Sequence, residues 1–337
     1  MKSPPKMKDV ARLAGVSPMT VSRAFKRDSS VKESTRERVL KVAREIGYIF
    51  DSAASTLRSQ KTGFVAATIP SLYNANFSET AGALSEGLEA HGLQLLLGFT
   101  AYSVAEEEVL IEQLLRRRPE ALVVTGGRHT DAAREMLINA DIPVVETWDI
   151  PEHPIDRVVG FSNAGAMADM VRHLAELGHR KICFVGGDDS EDTRGADRRA
   201  GYQAAMRNLG LDAGRTIGIG RAPSEMADGE RALDIILDRY PDTDAVACVA
   251  DPVAFGLMTA CLRRGMRVPE DICVSGFGNY DLSQHAMPTM TSIEPNAGQI
   301  GKLTADVIVG ILAGDAAPDD PVIQLRPELQ IRQSTGG

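Results

Sequence analysis

The sequence predicts an all-α helix-turn-helix headpiece followed by an α/β core of two doubly wound parallel-sheet subdomains. Three observations predict it. Two short segments with helical apolar spacing meet at a glycine near the start of the chain. From Thr62 onward, short apolar runs alternate with amphipathic segments, as repeated βαβ units do. The charge is also divided. Residues 1–62 carry seven Lys and seven Arg against six acidic residues, a net +8, which leaves −17 on the rest of a chain that totals −9. A basic head on an acidic body points to a polyanionic partner at one end only.

The head is read from "VARLAGVSPMTVSRAF", Val10 to Phe25. Val10, Ala11 and Ala14 recur at helical spacing, and Gly15 can end that helix in the left-handed conformation. Val16 fills the corner. Ser17 is a good N-cap and Pro18 suits the first helical position. Val21, Ala24 and Phe25 give the second helix an inward side. A third helix over "STRERVLKVAREIGY" turns Val39, Val42, Ala43 and Ile46 inward. On a recognition helix the N-terminal residues meet base edges in the major groove. The outward set is therefore the candidate DNA-binding surface: Ser17, Pro18, Met19, Thr20, Ser22, Arg23 and, just beyond, Lys26. Ser and Thr hydroxyls can bond phosphates or bases, Arg23 can grip guanine O6 and N7 with two donors, and Met19 offers an apolar contact.

In the body, "GFVAATIP", "LQLLLGF", "EALVVTGG" and "IPVVETWD" read as buried parallel strands, as do "KICFVGG", "AVACVA" and "ICVSGFG". Two sets of units, broken near Phe161, predict two similar subdomains. Ligands in such folds bind beyond the carboxyl ends of the strands. The segments there are "IPSLYNANFSE", "TGGRHTD", "ETWD", "VGFSNAGA", "GGDDSEDTRGADRRAGY", "GRAPSEM", "VADPVAFG" and "GFGNYD". Their Arg, Asp, Asn, Ser and Thr side chains, with a few aromatics, suit a polyol, and a carboxylate would need Arg. Ser71, Asn74, Phe77, Arg128, His129, Trp148 and Asn163 are candidate effector contacts on this ground.

Other chemistries find little support. The six histidines are scattered, no HExxH, Gly-x-Ser-x-Gly or Walker-type pattern occurs, and the glycine pairs after strands lack the GxGxxG fingerprint. The expectation is a non-enzyme with no cofactor and no metal. Cys183, Cys248, Cys261 and Cys273 lie in apolar runs without CxxC spacing and read as reduced, buried thiols. "MKSPPKMKDV" lacks the apolar stretch of a signal peptide and no run is long enough for a membrane helix, so the expected location is the cytoplasm.

"MKDVARLAGVSPMTVSRAF" followed by "VKESTRERVLKVAREIGY" resembles the LacI/GalR family of bacterial repressors. The resemblance implies a headpiece (1–50), a hinge helix or linker (51–62) and a core similar to type I periplasmic sugar-binding proteins. It divides that core into residues 63–161 plus about 292–322 and residues 162–291 plus about 323–337. It implies a homodimer, with a tetramer as the larger option, on near-palindromic operator DNA. "QIRQSTGG" carries no leucine heptad, which favours the dimer. Leu57 in "DSAASTLRSQKT" matches the hinge leucine that wedges into the minor groove. Phe50-Asp51 stands where the family usually has Pro-Asn.

The resemblance also places an effector-gripping arginine at Arg198, four residues before the aromatic of "RRAGY". Arg194 lies one helical turn earlier, so the two could clamp a carboxylate; the bland alternative is a salt bridge with Asp192 or Asp197. Asp251 matches a position that faces sugar hydroxyls, with Pro252 where an Asp is usual. Gly278 replaces a common Asp, leaving Asn279 as the substitute. "PSLYNANF", "VVETWD", "VGFSN" and "GFGNYDLSQHAMP" look nearest to gluconate-operon repressors. The implied function is a repressor of a sugar-acid operon, released by a small sugar or sugar-acid effector such as gluconate, with a phosphorylated or keto derivative as the further options. The alternatives are a corepressor-dependent regulator, a periplasmic-type solute-binding protein, against which the basic head counts, and a sugar-acid dehydrogenase, against which the absent cofactor fingerprint counts.

Overall fold

The computed structural model describes residues 4–25, 30–50, 62–187, 192–315 and 320–337. The chain divides into two compact units, Met1–Thr62 and Gly63–Gly337.

In the first unit, α1 (Met7–Ala14), α2 (Pro18–Ala24) and α3 (Glu33–Ile46) enclose a small core of Val10, Ala11, Ala14, Val21, Ala24, Val39 and Ala43. Gly15 ends α1 at φ +66°, the left-handed conformation that the tight turn demands. Ser17 then caps α2, its hydroxyl accepting from the Thr20 amide at 3.1 Å, with Pro18 at the first helical position. α3 opens at Glu33, one residue before the Ser34 expected to begin it. Its Arg36 reaches back to donate to the Ala24 carbonyl at 2.9 Å, satisfying an open acceptor at the end of α2.

The second unit holds two six-stranded sheets. The first is built from β1 (Phe64–Ile69), β2 (Gln94–Phe99), β3 (Leu122–Thr125), β4 (Val144–Thr147), β5 (Arg157–Gly160) and β11 (Val322–Gln324), all parallel, in the order β11-β5-β4-β3-β1-β2. Its connecting helices are α4 (Ala75–Glu89), α5 (Val104–Leu115) and α6 (Asp131–Ile138). The second contains β6 (Ile182–Gly186), β7 (Thr216–Gly218), β8 (Ala245–Cys248), β9 (Cys273–Phe277), β10 (Thr291–Glu294) and β12 (Glu328–Gln330), in the order β12-β10-β9-β8-β6-β7. Only β12 runs antiparallel there. The helices of this lobe are α7 (Asn163–Glu176), α8 (Thr193–Asn208), α9 (Met226–Arg239), α10 (Asp251–Arg263) and the short α11 (Asp281–His285).

This is the predicted architecture. The central strands β1, β3, β4, β6, β8 and β9 are largely buried, as parallel sheets require, whereas β2, expected to be buried, lies at the edge of its sheet and is only partly covered, with Phe99 51% exposed. The chain crosses between lobes three times. The return crossings fall after Glu294 and after Gln324, where about 292 and about 322 were expected, because β10 pairs with β9 and β11 pairs with β5. Between them, α12 (Ala297–Ala313) lies against α4 of the first lobe. The two backbones approach so closely that a Cβ on Gly301 would stand 2.2 Å from the Thr80 carbonyl oxygen. Thr80 Oγ1 donates to the Ala297 carbonyl at 2.9 Å across the same contact.

In each sheet the strand order reverses, beside β1 in one and beside β6 in the other. Crevices at such reversals, at the carboxyl ends of the strands, are where α/β folds place ligands.

Candidate functional sites

In the first unit the N-terminal end of α2 is polar and outward. Ser17, Pro18, Met19 and Arg23 are exposed, and Thr20 and Ser22 are half-buried. Met19 keeps 50% of its surface open, far more than a core methionine would. The Ser17 and Thr20 hydroxyls lie 2.9 Å apart and fix one another at the cap. Opposite this surface Val21 and Ala24 are buried, so the helix has one side for the core and one for a partner. Lys26 and Leu57, the other two candidates, lie outside the described residues, as does most of the hinge.

In the second unit a cavity of about 360 Å³ opens between the two sheets at the carboxyl ends of their strands. The segment after β1 supplies Ser71, Asn74 and Phe77 to its wall, and the turn after β4 supplies Trp148. α8 contributes Arg194 and Arg198 from successive turns. These six of the sequence-nominated effector residues are brought together. Aromatic rings form the floor: Phe77 meets Trp148 edge-on at 5.0 Å, and Trp148 meets Phe161 at 5.9 Å. Trp148 takes this position in a strained turn at φ +70°.

The two arginines differ. Arg194 is buried, lies over the Phe77 ring at 5.4 Å, donates to the Thr125 carbonyl at 3.3 Å and stands 4.0 Å from Asp192. Arg198 stacks on Phe277, its guanidinium carbon 3.5 Å from the ring centroid. Its Nε donates to Asn163 Oδ1 at 3.0 Å and one terminal nitrogen donates to the Val249 carbonyl at 2.9 Å. Among the described residues it makes no ion pair. Burial lowers its pKa to about 10, which still leaves it cationic at neutral pH.

Five nominated residues do not line the cavity. His129 is buried between two carboxylates, Nδ1 at 2.6 Å from Glu107 and Nε2 at 3.5 Å from Glu146. Burial alone would lower its pKa, but these carboxylates outweigh that and raise it to about 9. It is a charged strut inside the first lobe. Arg128 pairs with Asp197 across the lobes, and it points away from the main cavity into a second polar depression that also includes Asn163. Asn163 is buried beneath Arg198 and positions it. Asp251 is wholly buried, accepting from Ser292 Oγ at 2.6 Å and the Tyr280 amide at 2.7 Å; burial pushes its carboxyl up to about 6. Asn279 is spent on Glu294 at 2.8 Å and Arg332 at 2.6 Å.

Sequence reasoning missed Asn76, Tyr102, Asp192, Glu225 and Tyr280, all of which line the cavity. Tyr102 lies three residues beyond β2, the one early strand whose following turn was not inspected. Tyr280 and Glu225 sit inside quoted segments but were passed over for more polar or more basic neighbours. Burial raises the pKa of both tyrosines, so they act as neutral hydroxyls. Among the described residues no cluster of three or more His, Cys, Asp or Glu could hold a metal, and no helix is long and apolar enough to cross a membrane. The four cysteines are buried and free.

Residues 6–51 match the family described as bacterial regulatory proteins, lacI family, and residues 171–335 match the periplasmic binding protein-like domain. The chain is 36% identical, over 98% of its length and 96% of the relative's, to the HTH-type transcriptional regulator GntR of Pseudomonas aeruginosa. It is 32% identical to the HTH-type transcriptional regulator IdnR of Escherichia coli, over 90% of each chain. A solved LacI-family transcriptional regulator from Silicibacter pomeroyi superposes with a TM-score of 0.92 at 32% identity, covering 98% of this chain and 99% of that one.

Proposed function

The chain belongs to the LacI family of bacterial regulatory proteins, and from that premise we propose that it is a repressor of a sugar-acid uptake or catabolism operon, released from a near-palindromic operator by a small carbohydrate acid. The observation that carries the effector reading is Arg198. A half-buried cation that faces a cavity and makes no ion pair among the described residues is stabilised when something anionic comes to it. Asn74, Asn76, Ser71 and the tyrosine hydroxyls around it supply the donors and acceptors that polyol hydroxyls need.

The head supports the DNA reading. A capped helix with exposed Met19 and Arg23 offers base-edge contacts, and the net +8 of residues 1–62 suits the phosphate backbone. A homodimer would present two heads to the two half-sites of a palindrome. Effector acts through its different affinity for the DNA-bound and released states, with coupling of roughly 1–3 kcal/mol typical.

The test is a gel shift of the full-length protein on DNA from the promoter region beside its own gene, titrated with D-gluconate and related sugar acids. Release of a specific complex supports the repressor reading. Tightening by the same ligands would establish the corepressor reading instead. No sequence preference with or without ligand would refute both.

A further inference from the structure

Four charged side chains line the cavity among the described residues: Arg194 and Arg198, Asp192 and Glu225. Their formal charges cancel. Arg194 has Asp192 at 4.0 Å. Glu225 stands at the N-cap of α9, held by its backbone: its amide donates to Asp228 Oδ2 at 2.6 Å and its carbonyl accepts from the Asp228 amide at 3.1 Å, and its side chain lines the same cavity. Arg198 is the cation left over. Two of the five N–H donors of its guanidinium go to Asn163 and Val249, which leaves three. The Phe277 ring covers one face. What remains is an edge suited to the two oxygens of one carboxylate.

A second anionic group would find no such edge. A phosphate monoester carries about −1.5 to −2 at neutral pH. It would have to sit beside Asp192 or Glu225 in a partly enclosed space, where like charges repel more strongly than in water. The hydroxyls of a neutral polyol tail, by contrast, can donate to those same carboxylates.

We infer that the cavity selects a ligand with a single negative charge, a polyhydroxy monocarboxylate without phosphate, and that Asp192 and Glu225 set this specificity by rejecting the phosphorylated form. The inference rests on the reading that the cleft takes the effector.

Titration calorimetry of the full-length protein with D-gluconate, 6-phospho-D-gluconate and D-sorbitol tests it. These three share a carbon chain and differ in charge. The expected result is binding of gluconate, with the phosphorylated acid and the neutral polyol each at least tenfold weaker. Glu225→Gln, which removes the charge and leaves the backbone contacts to Asp228 in place, narrows the gap between the two acids severalfold. Phosphogluconate binding as tightly as gluconate, with Arg198→Ala weakening both, would overturn the charge selection and leave the cleft reading intact. Gluconate binding unchanged by Arg198→Ala, or absence of binding by all three, would overturn the cleft reading and this inference with it.

Discussion

Asn163 and Arg198 are joined side chain to side chain, the Oδ1 of Asn163 accepting from Nε of Arg198 at 3.0 Å. The same amide donates to the Trp148 carbonyl at 2.9 Å. Asn163 begins α7, just beyond the first crossing between lobes. It therefore ties an aromatic of one lobe to the arginine of the other.

Asn163→Ala should weaken sugar-acid binding about tenfold, the usual scale for losing a hydrogen bond to a charged group. Asn163→Asp should weaken it more, because a carboxylate beside Arg198 would neutralise the cation meant for the ligand. Calorimetry measures both. Trp148 is the chain's single tryptophan and lines the cavity, so ligand should change intrinsic fluorescence in the native protein. A silent spectrum at saturating ligand would place the ligand elsewhere.

Arg23→Ala should cost roughly 1–3 kcal/mol on the specific operator and much less on random DNA. Competition gel shifts at fixed salt give both numbers. Equal losses on the two DNAs would mean that Arg23 touches phosphate only.

Leu57→Ala concerns the hinge, outside the described residues, and rests on the family resemblance. It should reduce operator affinity and DNA bending together while leaving sugar-acid affinity unchanged. Circular-permutation gel shifts report the bend, and normal bending would refute a wedge at this position.

His129 makes stability depend on pH. Its folded pKa of about 9 lies above the usual value of about 6.5, so the folded state holds this proton more tightly. The stabilisation is fully present below about pH 6.5 and is lost as pH rises through about 9. Relative to His129→Gln, the native protein should lose up to roughly 3 kcal/mol of advantage between pH 6 and pH 9.5, read from urea unfolding at each pH. A constant difference would mean that the imidazole is neutral between Glu107 and Glu146.

The fold was legible because each level of signal agreed: turn glycine, cap, apolar period and charge division. The helix-turn-helix surface followed from the same signals, since Val21 and Ala24 define the inward face and so expose Met19 and Arg23. The cleft was legible only in part. The rule that ligands gather beyond strand ends nominated Ser71, Asn74, Phe77 and Trp148, and the family resemblance nominated Arg198. That rule cannot say which polar residues after a strand turn outward into the cavity and which turn inward as supports. Asp251 and Asn279 are spent on holding the turn that carries Tyr280. His129 was read as an anion contact, but Glu107 and Glu146 reach it from two other elements, a convergence that linear spacing does not reveal.

The packing of α12 against α4 has a consequence for how the polypeptide matures. The helix that seals one side of the first lobe is made late: it begins at Ala297, long after β1 to β5 are complete, and only β11 of that sheet follows it. During synthesis the early strands must therefore wait with Leu84 and Leu88 uncovered until the ribosome has delivered almost everything else. A chain that stops before Ala297 leaves that apolar flank of α4 without the helix that covers it.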